Sequence, residues 1–268
     1  MEYYYLFICC NKLNLLAGIN GAWLFRDFSG KFSSIHEPVN LWLLPETNYI
    51  NIDYFQLNES LLKKGKAEIE IKLFRADTSK PESLESAEEY YKFAWKSNDY
   101  SPIIPQIMKI PLNLQLPGIV QYDIWEKAED LTDLNLNKHE EEYSQTDVNE
   151  IYQLLRNYIS GIIAGDIDTL LSLQEFKFRE ESKSRFKKFN DVQENIRGQY
   201  AKMAGSKLRE WNELSKDNIS FRKIYGNKIL EINKNVNQYP VSVVIDDEIL
   251  LEVPIYLSRL SGNWIIVR

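Results

Sequence analysis

The chain has 268 residues, 44% hydrophobic and 13% aromatic, which excludes disorder throughout and can supply the cores of two domains of ordinary size. A formal net charge of −7 and a pI near 5.1 exclude a general nucleic-acid binder, whose footprint is a basic excess. The same balance favours a basic surface on any charged partner.

The opening MEYYYLFICC is apolar from Tyr3 to Cys10. It has Glu2 where a secretory signal carries Lys or Arg, and bulky Phe7 and Ile8 before the cysteines. It is also too short to span a bilayer, so a first or edge strand is expected and membrane insertion is not. Cys9 and Cys10 are the only cysteines. Adjacent side chains diverge in an extended segment, so free thiols are expected, which fits a cytoplasmic location. His36 and His139 lie far apart and match no ligand spacing, so neither a metal site nor a cofactor is expected.

From Leu13 to Asp77 the pattern is strand and turn. Asn20-Gly21 and Ser29-Gly30 are turn signals around Trp23-Leu24-Phe25, and Pro45-Glu46 divides PVNLWLL from NYINIDYF. In KAEIEIKLFRAD, Ala67, Ile69, Ile71 and Leu73 alternate with Glu68, Glu70 and Lys72, the period of a half-buried strand. The next stretch, KPESLESAEEYYKFAW, predicts a helix capped by Ser79, because Leu84, Ala87, Tyr91 and Trp95 recur at helical spacing. Prolines 102, 105, 111 and 117 then mark strands that are short or lie at sheet edges. Short strands with frequent turns point to a β-sandwich.

Between Asp123 and Glu150 stand ten acidic residues against Lys127 and Lys138. This predicts a solvated acidic linker, with a domain boundary near Tyr143: residues 1–143 as the β-domain ending in the linker, and residues 144–268 as the second domain. Val148, Ile151, Tyr152, Leu155, Tyr158, Ile159, Ile162 and Ile163 form one helical stripe, with Asp147 and Glu150 at capping-box spacing. Gly165 ends that helix and Asp166 caps the next. From Phe186 to Leu214 apolar residues recur as in one or two amphipathic helices. Ten basic residues between Lys177 and Arg209 face four acidic ones, but their aromatic neighbours follow helical spacing and belong to a core, so nucleic acid is not the expected partner. Turns at Gly226-Asn227, Val236-Asn237, Asp246-Asp247 and Ser261-Gly262-Asn263 then divide an antiparallel meander. In its last strand Trp264 and Ile266 pack one face and Arg268 reaches the rim. Helices followed by such a sheet make an α+β layer.

A long helix, a short one after AGD, further helix and a meander closing on SGNWIIVR resemble the nuclear transport factor two-like, or cystatin-like cone, superfamily over Thr146 to Arg268. The resemblance implies helices wrapped by a curved sheet, often around a pocket; members include isomerases, dehydratases and binding modules, so fold does not settle function. The whole chain, with PVNLWLLPETNYINI and GIVQYDIWEKAEDL before the cone, also resembles two-domain bacterial type VI secretion immunity proteins. That resemblance implies a protein partner, a secreted antibacterial toxin or effector. The expected fold is thus an immunoglobulin-like N-terminal sandwich followed by a cone-like α+β domain.

An enzyme using the cone pocket would need a buried acid or base. On EILLEVPIYLSR, strand period puts Glu252 and Tyr256 on one face as the pair available to that alternative, but the opposite, apolar face is the better inward candidate. Glu252, and Glu231 in KILEINKN, are therefore expected in solvent. No phosphate loop or nucleophile elbow is present, and Cys9-Cys10 has no basic neighbour in sequence. No catalytic residue is assigned. For a non-catalytic protein binder, the charge runs Glu140, Glu141, Glu142 and Lys187, Lys188 are the candidate contacts.

Overall fold

The computed structural model describes residues 2–45, 47–55, 66–77, 87–97, 106–112, 122–134, 136, 142–204, 208–209, 218–234, 238–245 and 249–268. Two compact units divide between Gln121 and Tyr122.

The first unit is built on two antiparallel sheets. One has the order β4-β1-β6-β7, formed by β1 (Glu2–Asn11), β4 (Ser33–Pro38), β6 (Glu68–Asp77) and β7 (Glu88–Lys96). The other has the order β3-β2-β5-β8, from β2 (Asn14–Ile19), β3 (Ala22–Asp27), β5 (Asn48–Phe55) and β8 (Gln106–Leu112). Alternation sets which face is buried: Ile69, Ile71 and Leu73 on β6, and Asn48, Ile50, Ile52 and Tyr54 on β5. The rings of Tyr54 and Trp95 lie 4.8 Å apart, so the two sheets meet through their side chains. β1 is the first strand but not an edge, because it pairs with both β4 and β6. Cys9 and Cys10 are free and buried, and burial, then the nearby Asp27 carboxylate and Cys9, push the Cys10 thiol up to about 12.

Two expectations for this unit are overturned. Glu88–Lys96 is a strand. Tyr91, Phe93 and Trp95 are half-buried at every second position, and a spacing of four between Tyr91 and Trp95 satisfies a period of two as well as a helical one. Residues 78–86, with Ser79 and Leu84, lie outside the described residues. Within PVNLWLL, Asn40–Trp42 is a short 3₁₀ turn rather than a strand, fixed where Asn40 Oδ1 accepts from Tyr4 N at 2.7 Å.

The β2–β3 hairpin turns at Asn20 (φ 51°) and Gly21 (φ 88°), as the Asn-Gly pair predicts. Behind it the register shifts at Ala17/Gly18, and a side chain on Gly18 would put Cβ 1.7 Å from Ala22 O.

The second unit begins earlier than the composition implied. Its helices are α1 (Asp123–Lys127), α2 (Glu142–Ala164), α3 (Ile167–Leu173), α4 (Glu175–Ser184) and α5 (Phe189–Ala204). One sheet has the order β10-β11-β14-β15, from β10 (Ile219–Ile224), β11 (Ile229–Lys234), β14 (Ile255–Leu260) and β15 (Asn263–Ile266). A second has the order β13-β12-β9, from β9 (Leu208–Arg209), β12 (Val241–Ile245) and β13 (Ile249–Val253). Pro254 separates β13 from β14, and the strands on either side of it join different sheets, so the strands are not one meander. Leu208 is likewise in a strand and not in a helix. Val236-Asn237 and Asp246-Asp247 lie outside the described residues.

A boundary near Tyr143 and a solvated linker do not hold for residues 122–136. Tyr122, Ile124, Ala128, Leu131 and Leu136 are buried. Ala128 bridges to Leu260, Glu129 N donates to Arg259 O at 2.9 Å, and Leu131 N donates to Asn227 O at 2.9 Å. Acidic composition hid this because the acids have partners: Glu129 Oε1 accepts from Gly262 N, and Asp123 from Lys127 and Lys183.

The core joins helices to one face of the β10–β15 sheet: Ile151, Leu155, Tyr158 and Ile162 of α2, Leu170 and Leu171 of α3 and Phe178 of α4 pack with Leu230, Ile232, Ile255, Leu257, Trp264 and Ile266. Ile163 departs from the predicted stripe and is 56% exposed. Asp147 lies inside α2 rather than capping it, and accepts from Trp264 Nε1 at 2.9 Å. Gly165 (φ 65°) ends α2, and Asp166 caps α3 by accepting from Thr169 N at 3.1 Å, both as expected. The Ser261 (φ 50°)–Gly262 (φ 82°) turn joins β14 to β15 as predicted.

Gly18→Ala forces β2 away from the hairpin backbone and is expected to lower stability by about 3 kcal/mol; urea denaturation of the full chain measures it.

Candidate functional site

A cleft of about 490 Å³ opens in the second unit, between Thr132, Asp133, Leu134 and Leu136 on one side and β10 with Leu230 on the other. The segment from Tyr122 forms its wall because it is fastened across the β10–β11 end of the sheet: Lys223 Nζ donates to Thr132 O at 2.6 Å and Lys228 Nζ to Ala128 O at 2.7 Å. Leu134, Leu136, Phe221 and Leu230 give the cleft apolar walls. Its polar groups are Thr132, Asp133, Lys223 and Arg222. Thr132 Oγ1 donates to Asp130 and accepts from Asn227. Such a lining suits an apolar side chain with a polar neighbour; it holds no nucleophile set beside a base.

Behind the cleft, antiparallel register puts Arg222, Glu231 and Tyr256 side by side on three adjacent strands. Glu231 is 1% exposed, against the expectation that it stands in solvent. Its carboxylate accepts from Arg222 Nε at 2.6 Å and from Asn233 Nδ2 at 3.4 Å. In KILEINKN, Leu230 and Ile232 alternate with Glu231 and Asn233 as in a strand with one wet face, but β11 is buried on both faces. Tyr256 is buried on β14, whereas Glu252 is exposed on β13 in the other sheet. The break at Pro254 thus separates the pair that the pocket-enzyme alternative required.

Arg268 is also buried, at 4% exposure, and not at the rim. Its guanidinium lies 5.8 Å from the Tyr122 ring and 6.0 Å from the Tyr225 ring, with Glu180, itself 1% exposed, at 3.9 Å. Trp125 Nε1 donates to Tyr225 OH, and burial raises that phenol's pKa. Glu180 Oε1 accepts from Asp123 N at 3.2 Å, and Lys183 Nζ bridges Glu180 and Asp123. Hydrogen bonds from Lys127 and then Lys183 hold the Asp123 carboxyl below its ordinary value. Part of the basic stretch from Lys177 is met in place: Arg179 pairs with Glu175, Arg185 with Glu181 and Arg197 with Asp168.

Of the charged residues predicted to meet a partner, Lys187 and Lys188 are exposed beyond α4. Glu140 and Glu141 lie outside the described residues, and Glu142 begins α2 with its side chain undescribed. Among the described residues, no group of three or more His, Cys, Asp or Glu could hold a metal ion, and no helix is long and apolar enough to cross a membrane. His36 stacks beside Phe7, and His139 lies outside the described residues. Sequence reading missed the cleft, whose two sides are far apart along the chain. It also missed a group of exposed large apolar side chains in the first unit: Phe28 at 41%, Phe32 at 66%, Tyr90 at 36% and Ile107 at 81%. No family model matches the chain, and neither a curated protein nor a solved structure matches it significantly.

Removing one member of the Arg222–Glu231 pair strands the other: Glu231→Ala is expected to cost about 3 kcal/mol, and Arg222→Met with Glu231→Leu to recover most of it, as read by thermal and urea unfolding. Asp123, with a folded-state value below its unfolded one, stabilises fully above the unfolded value and loses that contribution as pH falls through the folded one. Melting temperatures between pH 6 and pH 2 should therefore fall less steeply for Asp123→Asn than for the unaltered chain, within about the carboxylate range.

Proposed function

We propose that the chain is a non-catalytic protein-binding protein, and that its partner is a secreted antibacterial effector toxin that it neutralises in the manner of type VI secretion immunity proteins. The observation that carries the binding reading is the exposure of Phe28, Phe32, Tyr90 and Ile107 in one unit. An apolar side chain as exposed as Ile107, on a strand at the end of its sheet, is one that a protein–protein surface would cover. The buried charges of the second unit support it too. Glu180, Glu231, Asp147 and Arg268 are engaged with structural neighbours, whereas a catalytic acid or base must face a substrate. The toxin class rests on the whole-chain resemblance given above. In the same reading the two four-stranded sheets form an immunoglobulin-like sandwich, and the helices on the β10–β15 sheet form a cystatin-like cone whose interior is filled by core side chains. Tyr158, Tyr200 and Gln174 support that filling: the two hydroxyls are 3.3 Å apart, and Gln174 Nε2 donates to Tyr200 OH.

Co-expression with the product of the adjacent gene tests this. The expected result is co-purification of a stable complex and protection of cells from that product's toxicity. Absence of both co-purification and protection overturns the reading.

A further inference from the structure

β8 ends the order β3-β2-β5-β8, and among the described residues it pairs only with β5. The direction of its backbone groups follows from β5. Tyr49 O accepts from Asn20 N at 2.9 Å, and Tyr49 N donates to Asn20 Oδ1 at 2.9 Å, so Tyr49 turns its backbone away from β8. By alternation Asn51 and Asp53 do the same, and Asn48, Ile50, Ile52 and Tyr54 face β8. The partners of Tyr49, Asn51 and Asp53 on β8 are Pro111, Lys109 and Ile107. These three accordingly point their own backbone groups outward, and Pro111, which has no N–H to give, sits where none is needed for the ladder.

The outward edge therefore offers N–H and C=O of Ile107 and of Lys109, and C=O of Pro111. Side chains along it are unfinished in the same way. Ile107 is 81% exposed. Met108 and Ile110 face inward yet are only half-buried, whereas their neighbours Ile52 and Ile50 on β5 are fully buried. Lys109 holds its ammonium 4.0 Å from the Tyr49 ring, a fixed positive charge at the middle of the edge.

We propose that β8 is where the chain receives its partner, by adding to the sheet an extended segment of that protein with an acidic side chain opposite Lys109 and apolar side chains beside Met108 and Ile110. The inference rests on the protein-binding reading above and names the surface and chemistry of that interface. Added strands gain main-chain hydrogen bonds from the edge and specificity from alternate side chains. The charge selects among segments: an acidic residue opposite Lys109 is attracted, and a basic one repelled. It also disfavours a second copy of this chain, because the two-fold register that aligns Ile107 to Pro111 with itself sets Lys109 against Lys109 and leaves the C=O of Ile107 facing Pro111, which has no N–H to donate.

Ile107→Pro removes an outward N–H that β5 does not use, and Lys109→Glu reverses the charge; Lys109→Arg keeps it. Binding of each full-length variant to the purified product of the adjacent gene is measured by calorimetry, with melting temperature as the check on folding. Expected are melting temperatures close to that of the unaltered chain, binding weakened at least about tenfold by Ile107→Pro and Lys109→Glu, and binding retained by Lys109→Arg. Equal binding by folded Ile107→Pro and Lys109→Glu overturns the interface and leaves the protein-binding reading standing. Dimers of the unaltered chain that Ile107→Pro dissolves also overturn it, by assigning the edge to self-association. If the unaltered chain does not bind, the protein-binding reading falls and this interface with it. Should Ile107→Pro unfold, Lys109→Glu decides alone.

Discussion

Glu231 sits at 1% exposure on a strand buried on both faces, and it holds that position through the Arg222 guanidinium on the next strand. An ionised carboxylate moved from water into such a place costs several kcal/mol unless its oxygens are met. Much of the second unit follows from the same constraint. Its helices cover one face of the β10–β15 sheet with Ile151, Leu155 and Phe178. The opposite face carries Glu231, Asn233, Tyr256 and Ser258, all buried, beside the apolar Ile224 and Ile229. Ser258 Oγ donates to Lys228 O at 2.7 Å, and Asn233 to Glu231. Once polar groups are buried on that face, each needs a fixed partner, and each partner fixes a strand register.

The segment from Tyr122 to Leu136 extends this logic to the end of the sheet. Arg268 follows β15 and stands between two tyrosine rings with Glu180 beyond. Tyr122 supplies one of those rings, Asp123 N binds Glu180, and Trp125 binds Tyr225. Further along, Ala128 and Glu129 pair with the β14 backbone. A stretch with the composition of a connector is therefore a structural part of the unit. The cleft at its far end exists because Thr132 to Leu136 are held beside β10 by contacts made elsewhere along the segment, with Lys223 as a direct tie.

How much of this could be read beforehand depended on whether the signal was local. Turn chemistry is local, and Asn20-Gly21, Ser261-Gly262, Gly165 and the Asp166 cap all stand where residue types put them. Strong alternation is nearly local, which made β5 and β6 legible. Glu88–Lys96 failed because Tyr91 and Trp95 satisfy two periods at once, and the aromatic preference for strands decides between them. Pairing across sequence left no mark: nothing in KILEINKN shows that Arg222 will lie beside Glu231, and nothing in EILLEVPIYLSR shows that Pro254 sends Glu252 and Tyr256 into different sheets. Charge runs were a poor guide to the candidate site for the same reason. Asp123 and Lys183, sixty residues apart, belong to each other.

The two units manage exposed structure in different ways, and this difference bears on function. In the second, charges that composition would assign to solvent are matched within the unit, so its formal charge runs advertise less surface potential than their counts imply. In the first, Ile50 and Ile52 of β5 are fully buried while β8 keeps Met108 and Ile110 half-covered and Ile107 in water. A lysine and a proline on that strand are the features that protect an edge from indiscriminate pairing. They do not remove the outward backbone groups of Ile107 and Lys109, and they leave apolar surface on both faces of the strand. An edge that is guarded by charge but left incomplete in its packing selects among neighbours by the chemistry of the strand that meets it.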